Sequence, residues 1–287
     1  MSRVHDALRK AQPAGVTPQQ TPQAEPPAGQ TQEAVRVAEP LAAELSEAIA
    51  RFPVVPFNPS PDASLLDPAR PGEAPAEEFR SLRTRLNHIQ TLQPIHSLVV
   101  TSPSPAEGKS FTAANLAIAQ AQLEHNFTLL ADFDFRRPVI HTLFQLQRSP
   151  GITDYLQGKA RLDQIIQRLE GTNLFVMTAG EAVLNPLELL NLPAAKQLIE
   201  ELPEMFNWVI IDTPPLLFAA DASLLSTMAH ALLLVVRIGS TTIDSVTRAM
   251  GALCQNNILG IVVNAAQKSE LYSKYTYYHS YYSAPES

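Results

Sequence analysis

Six short apolar runs constrain this chain more than any other feature: "SLVVTS" from Ser97, "FTLLAD" from Phe127, "LFVMTAG" from Leu174, "WVIID" from Trp208, "ALLLVVR" from Ala231 and "ILGIVVN" from Ile258. Each has the length of a strand, and several are continuous rather than alternating, which suits strands covered on both faces. Stretches of helical spacing separate them. The first, "AEEFRSLRTRLNHIQTL" from Ala76, repeats Phe79, Leu82, Leu86 and Ile89 at intervals of three and four, with an arginine-rich opposite face. Strands alternating with helices predict a doubly wound α/β domain with a mostly parallel sheet over residues 76–268. No apolar run approaches the roughly 18 to 20 residues needed to span a bilayer, and "MSRVHDALRK" lacks the apolar stretch of a signal peptide. A single cysteine, Cys254, excludes an intrachain disulfide and fits a reducing compartment.

The flanks read differently. Thirteen of the 24 prolines fall in the first 75 residues, too many to build a packed core, so residues 1–75 are expected to be mostly disordered linker. Two stretches within it have helical spacing, residues 3–11 and "LAAELSEAIARF" from Leu41, and could dock on a partner. At the other end, residues 269–287 hold six of the seven tyrosines: Tyr272, Tyr275, Tyr277, Tyr278, Tyr281 and Tyr282. Read alone, such a tail is a membrane-interface belt, a self-association patch or an accessible enzyme substrate.

Three stations for phosphate and metal chemistry lie along the sheet. In "TSPSPAEGKSFTAANLAIA" a strand runs into Gly108, Lys109 and Ser110 and a helix follows, the context of a P-loop. There, helix N-terminal amides face phosphates, the lysine reaches their oxygens and the serine hydroxyl ligates magnesium. Pro103 stands where the pattern GxxxxGK[ST] has its first glycine. In "FTLLADFDFRRP" a strand delivers Asp132 and Asp134, with Arg136 and Arg137 behind them. Two carboxylates so close call for a cation, and magnesium is the economical one. In "WVIIDTPP" an apolar strand ends in Asp212, the form of a Walker B carboxylate. Parallel strands end at one common edge, where ligands bind.

These residues carry a resemblance. The stretches "SPSPAEGKSFTAANLA", "LLADFDFRRP" and "VIIDTPP", supported by "PGITDYLQGK" and "TAGEAVLNPLELL", resemble the bacterial tyrosine autokinases of capsule and exopolysaccharide synthesis, the BY-kinase family, from about Ala76 onward. The resemblance implies a P-loop NTPase fold of the deviant-Walker, MinD/ParA-like superfamily, with ATP as substrate and magnesium as cofactor. It implies nucleotide contacts from Ala106, Glu107, Gly108, Lys109, Ser110 and Phe111, and from Asn264 at the base. Lys109, Asp132, Asp134 and Asp212 would be catalytic, with Asp132 the candidate base for the tyrosine hydroxyl; Ser110, Asp132 and Asp212 would surround the metal. Glu77, Arg80 and Arg83 match an ExxRxxR pattern that joins subunits into a ring, and the tail tyrosines would be autophosphorylation sites. The partners implied are further copies of the chain, other tyrosine-bearing proteins and a transmembrane polysaccharide copolymerase that recruits a cytoplasmic kinase to the inner face of the plasma membrane.

Ala106 departs from the family, which usually has glycine there, giving "PAEGKS" for "PGEGKS". A Cβ at a position that needs positive φ costs about 1 kcal/mol. Two alternative readings follow: a MinD/ParA-like positioning ATPase, against which Ser104 stands in place of a second signature lysine, and a regulatory subunit that holds nucleotide without catalysis. With a net charge of −7, nucleic acid is not an expected partner.

Overall fold

The computed structural model describes residues 51–63, 65–66, 75–253 and 258–266. The helices expected at residues 3–11 and from Leu41, together with Cys254 and the six tail tyrosines, lie outside the described residues.

Eight strands form one sheet in the order β1-β4-β5-β3-β6-β2-β7-β8. They are β1 (Val54–Val55), β2 (Ser97–Thr101), β3 (Thr128–Asp132), β4 (Ile166–Leu169), β5 (Leu174–Met177), β6 (Trp208–Asp212), β7 (Ala231–Arg237) and β8 (Ile258–Asn264). All pairs are parallel except β4 with β5. The longer helices are α1 (Ala76–Leu92), α2 (Lys109–Ala121), α3 (Pro193–Met205), α4 (Asp221–Met228) and α5 (Ile243–Ala252). The doubly wound fold expected from the apolar runs is therefore present, and each of those runs supplies a strand.

The continuous runs are continuous because both faces are covered. Every residue of β2, β3, β5 and β6 is buried. Helix α2 is buried from Thr112 to Ala121, and its alanines let it lie close against the sheet. Its two buried amides are satisfied: Asn115 accepts from the Leu66 amide at 2.7 Å and donates to Phe111, while Gln120 donates to Asn87 Oδ1, which also accepts from the Trp208 indole. Buried polar groups left unpaired would each cost about 1–3 kcal/mol, so these partners specify how α1, α2 and β6 pack.

Within residues 1–75, expected to be mostly linker, the described residues between 52 and 66 are packed instead. Between Phe52 and Leu66 the chain is strapped across the domain. Phe52 is buried against Phe175 and Phe206, β1 pairs with β4, the Ser60 amide donates to Leu143, and Leu66 is fastened to Asn115. The prolines of this stretch break regular structure without preventing packing, because a two-residue strand and a few apolar anchors suffice to hold it.

Candidate phosphoryl-transfer site

The strand order assembles the three stations. Strand β6 lies between β3 and β2, with Asp212 in register with Asp132 on one side and Val100 on the other. Asp212 therefore sits between the aspartate-bearing end of β3 and the loop that follows β2. All three stations end at the carboxyl edge of the sheet, as parallel strands require.

The loop itself, residues 102–108, ends at Gly108, which caps α2 with φ +94°. No side chain caps the helix, so its first amides remain available to an anion. A Cβ on Gly108 would lie 1.9 Å from Asn264 Nδ2, so only glycine fits. Ala106 adopts φ +62°, the left-handed conformation whose cost the sequence had raised. Three contacts from the β7–β8 side hold this strained loop. Arg237 Nη1 donates to the Ala106 carbonyl at 3.1 Å, and Asn264 Nδ2 donates to the Glu107 carbonyl at 3.0 Å. The buried Glu107 carboxylate accepts from the Ser104 amide at 2.8 Å and from the Thr241 hydroxyl. Asn264, expected at the nucleotide base, is engaged here with the loop backbone.

Lys109 Nζ lies 2.7 Å from Asp134 Oδ2, 3.1 Å from Ser110 Oγ and 3.7 Å from Asp212 Oδ1. Burial opposes its charge, but Asp212 and Asp134 overcome that and raise its pKa, so the ammonium is the stable form. Asp134 also accepts from the Arg137 amide, and Asp132 accepts from the amides of Asp134 and Ile140. Asp132 is fully buried, and desolvation and then the Asp212 charge push its pKa well above the carboxylate range. Desolvation likewise raises Asp212, with Lys109 pulling the other way. Among the described residues no donor meets hydrogen-bond geometry at either buried oxygen of Asp212, although Lys109, Ser110 and the Thr213 amide lie close enough to favour its charge.

Two orphaned carboxylate oxygens beside a serine hydroxyl and a P-loop lysine fit magnesium. Among the described residues no three His, Cys, Asp or Glu side chains form a cage for a metal by themselves. That is the arrangement magnesium prefers, since it takes one or two carboxylates and completes its shell with water and substrate phosphates.

A cleft of about 530 Å³ opens onto this group. One wall is the loop from Pro105 to Phe111; the other carries Asp134, Arg136, Arg137, Val139 and the turn Pro214–Ala219. Asp134 thus reaches the cleft wall, whereas Asp132 is not among the lining residues. Arg136 is fixed by a two-pronged ion pair with buried Asp221, Nε to Oδ2 at 2.7 Å and Nη2 to Oδ1 at 3.1 Å. That pair spans 85 positions, as the Glu107–Thr241 contact spans 134, and no local pattern announces either.

The ExxRxxR residues lie elsewhere, on α1. Arg80 pairs with Glu77 at 3.1 Å, and Arg83 donates to the Ala119 carbonyl at the end of α2 at 2.8 Å. Within one chain Arg83 thus has a structural role, holding α1 to α2. No helix among the described residues is long and apolar enough to cross a membrane.

No protein-family model matches the chain. Among curated proteins it is 37% identical over 205 residues to the tyrosine-protein kinase YwqD of Bacillus subtilis strain 168, covering 71% of this chain and 86% of that one. It is 35% identical over 200 residues to the tyrosine-protein kinase Etk of Escherichia coli K12, covering 69% of this chain but spanning only 27% of that longer relative. Among solved structures, the chimerical protein CapA2B2 superimposes with a TM-score of 0.68 at 30% identity, over 80% of this chain and 99% of that one. At that identity, and over most of a kinase of nearly the same span, the chain belongs to the family of bacterial tyrosine-protein kinases.

Proposed function

We propose that this chain transfers the γ-phosphoryl group of ATP to its own C-terminal tyrosines, Tyr272, Tyr275, Tyr277, Tyr278, Tyr281 and Tyr282, in trans within a ring of like subunits. The observation that supports this most is where β8 ends. Asn264, its last residue, donates to the phosphate-loop backbone, so the described chain runs out, at Ala266, two residues past a contact with that loop. The seventeen residues from Ala266 to Tyr282 span at most about 55 Å when extended. That reach is long enough for the tail to leave its own subunit.

A tyrosine hydroxyl, with an ordinary pKa near 10, needs a base and a neutralised phosphate. The phenolic oxygen bonds to the γ-phosphorus as the bond from that phosphorus to the β–γ bridging oxygen breaks, and ADP departs. The phenolic proton needs a carboxylate at the cleft: Asp134 lines it and is freed when Lys109 moves to the phosphate, whereas Asp132, the base the resemblance implies, is fully buried with both oxygens held by backbone amides. Lys109 leaves Asp134 for the phosphate oxygens, and the first amides of α2 hold their charge. Ser110 and Asp212, with Asp132 beside them, would hold magnesium, which when bound neutralises charge growing on the phosphate oxygens. Each phosphate adds about −1.5 to −2 charge, so a fully modified tail adds on the order of −9 to −12. Crowding that charge at contacts made by Glu77, Arg80 and Arg83 favours dissociation, making the tail a switch on assembly. The setting that fits is exopolysaccharide or capsule synthesis, with a transmembrane copolymerase recruiting the kinase to the inner membrane face and other tyrosine-bearing proteins as further substrates.

Mixing two full-length variants tests transfer in trans. One is Lys109→Ala with its tail intact; the other is active but has all six tail tyrosines changed to phenylalanine. With ATP and magnesium, phosphate is expected on the Lys109→Ala chains, and their remaining unmodified would refute transfer between subunits.

A further inference from the structure

The cleft has a feature that phosphate chemistry does not use. Phe218 is 67% exposed at its rim, on the wall facing the phosphate loop, and Val139 and the pair Pro214 and Pro215 share that wall. Single exposed apolar side chains are ordinary, but an apolar cluster at the mouth of a polar site marks contact with an apolar group.

The backbone that presents Phe218 is fastened on both sides. The amides of Leu216 and Leu217 donate to the carbonyls of Ser102 at 2.9 Å and Pro103 at 3.3 Å, at the entrance to the phosphate loop, and the Phe218 amide closes a turn onto Pro215. Three residues on, Asp221 grips Arg136 on the same wall. Phe218 is thus an exposed aromatic ring on a turn tied directly to the loop that holds the phosphates. Its distance from that loop is set by backbone hydrogen bonds rather than by side-chain packing.

We propose that Phe218, with Val139 and the two prolines, forms the subsite for the ring of the acceptor tyrosine and so helps select tyrosine as the phosphate acceptor. The inference rests on the kinase reading given above and goes further by naming the residue that holds the substrate. Two aromatic rings attract edge-to-face or offset, with the apolar wall covering the rest of the phenyl group. A serine or threonine offers no surface to this wall. The occupant is the tyrosine-rich segment "SKYTYYHSYYS" that follows β8, because the last residue of β8, Asn264, donates to the phosphate-loop backbone and the segment starts nine residues after it. Arg137, exposed beside Val139 and with no side-chain partner among the described residues, places a cation where a phosphorylated ring would leave.

The test uses full-length wild type, Phe218→Ala and Phe218→Tyr with a synthetic peptide of sequence SKYTYYHSYYS, ATP and magnesium, following phosphotyrosine formation and, separately, nucleotide binding. Phe218→Ala should lower kcat/KM for the peptide by about tenfold, mainly through KM, with ATP affinity unchanged, and Phe218→Tyr should restore it. Because Phe218 is exposed, its truncation leaves the core intact. Equal kcat/KM in wild type and Phe218→Ala, or a loss matched by an equal loss of ATP affinity, overturns the subsite alone. Failure of wild type to phosphorylate tyrosine at all overturns the kinase reading and the subsite with it.

Discussion

The two walls of the cleft are built on different plans. On the phosphate wall, polar groups are satisfied within the chain: Glu107 bridges Ser104 and Thr241, Asn264 and Arg237 hold the loop carbonyls, and Lys109 is paired with Asp134. On the facing wall Asp134 and Arg136 are tied down, but an aromatic ring and an arginine, Phe218 and Arg137, stand in solvent. The first wall is preorganised for a ligand whose shape never varies. The second is left for a polypeptide to complete. Between them lies the exception: Asp212, fully buried, whose desolvation outweighs the nearby Lys109, so that a bound cation would relieve its charge.

That contrast breaks most sharply at Asp212. Changing Asp212→Asn should reduce phosphate transfer by about 10²–10³-fold, since it removes a charged group that steadies the metal and phosphates. The same change should stabilise the metal-free protein at neutral pH by about 1–3 kcal/mol, because the upward pKa shift of Asp212 means that the cost of burying its charge exceeds its attraction to Lys109. Its pH dependence follows from the raised pKa values of Asp212 and Asp132. Between the unfolded carboxylate value of about 4 and those raised values, the folded protein binds protons that the unfolded chain does not. Stability therefore falls as pH rises through that window, and Asp212→Asn should flatten the fall. Urea unfolding of both proteins in chelator at several pH values measures it; parallel curves would contradict the assignment.

A smaller effect sharpens the other wall. Ala106 holds φ +62° only because Arg237 and the loop contacts impose it. Ala106→Gly should raise stability by about 0.5–1 kcal/mol, and it should tighten ATP binding to a similar degree by removing a Cβ from the phosphate approach. Thermal midpoints with and without nucleotide read both quantities. A lower midpoint for the glycine variant would mean that the left-handed conformation carries no strain.

The same division governs what was legible in the residues. The P-loop, the aspartates after β3 and β6, and the buried parallel sheet could be read directly, because each depends on a local pattern and on the rule that parallel strands end together. Even the cost at Ala106 was foreseeable from one missing glycine. The strap at Phe52–Leu66 was hidden by its prolines, and β4 by its short "IQRL", half polar and only four residues long. Arg83 reads as a surface charge on the polar face of α1, yet it turns to the last carbonyls of α2. Glu107 with Thr241, Arg136 with Asp221, and the placement of Phe218 depend on chain segments brought together only by the completed sheet.

The central claim is that one cleft joins Lys109 and its carboxylates to the chain's own tyrosines. Mass spectrometry of the full-length protein after incubation with ATP and magnesium tests it most directly, with Lys109→Ala alongside. Phosphate is predicted on the tail tyrosines of wild type, with at least about a hundredfold less on Lys109→Ala; an unmodified wild-type tail, or equal modification of both proteins, would contradict it.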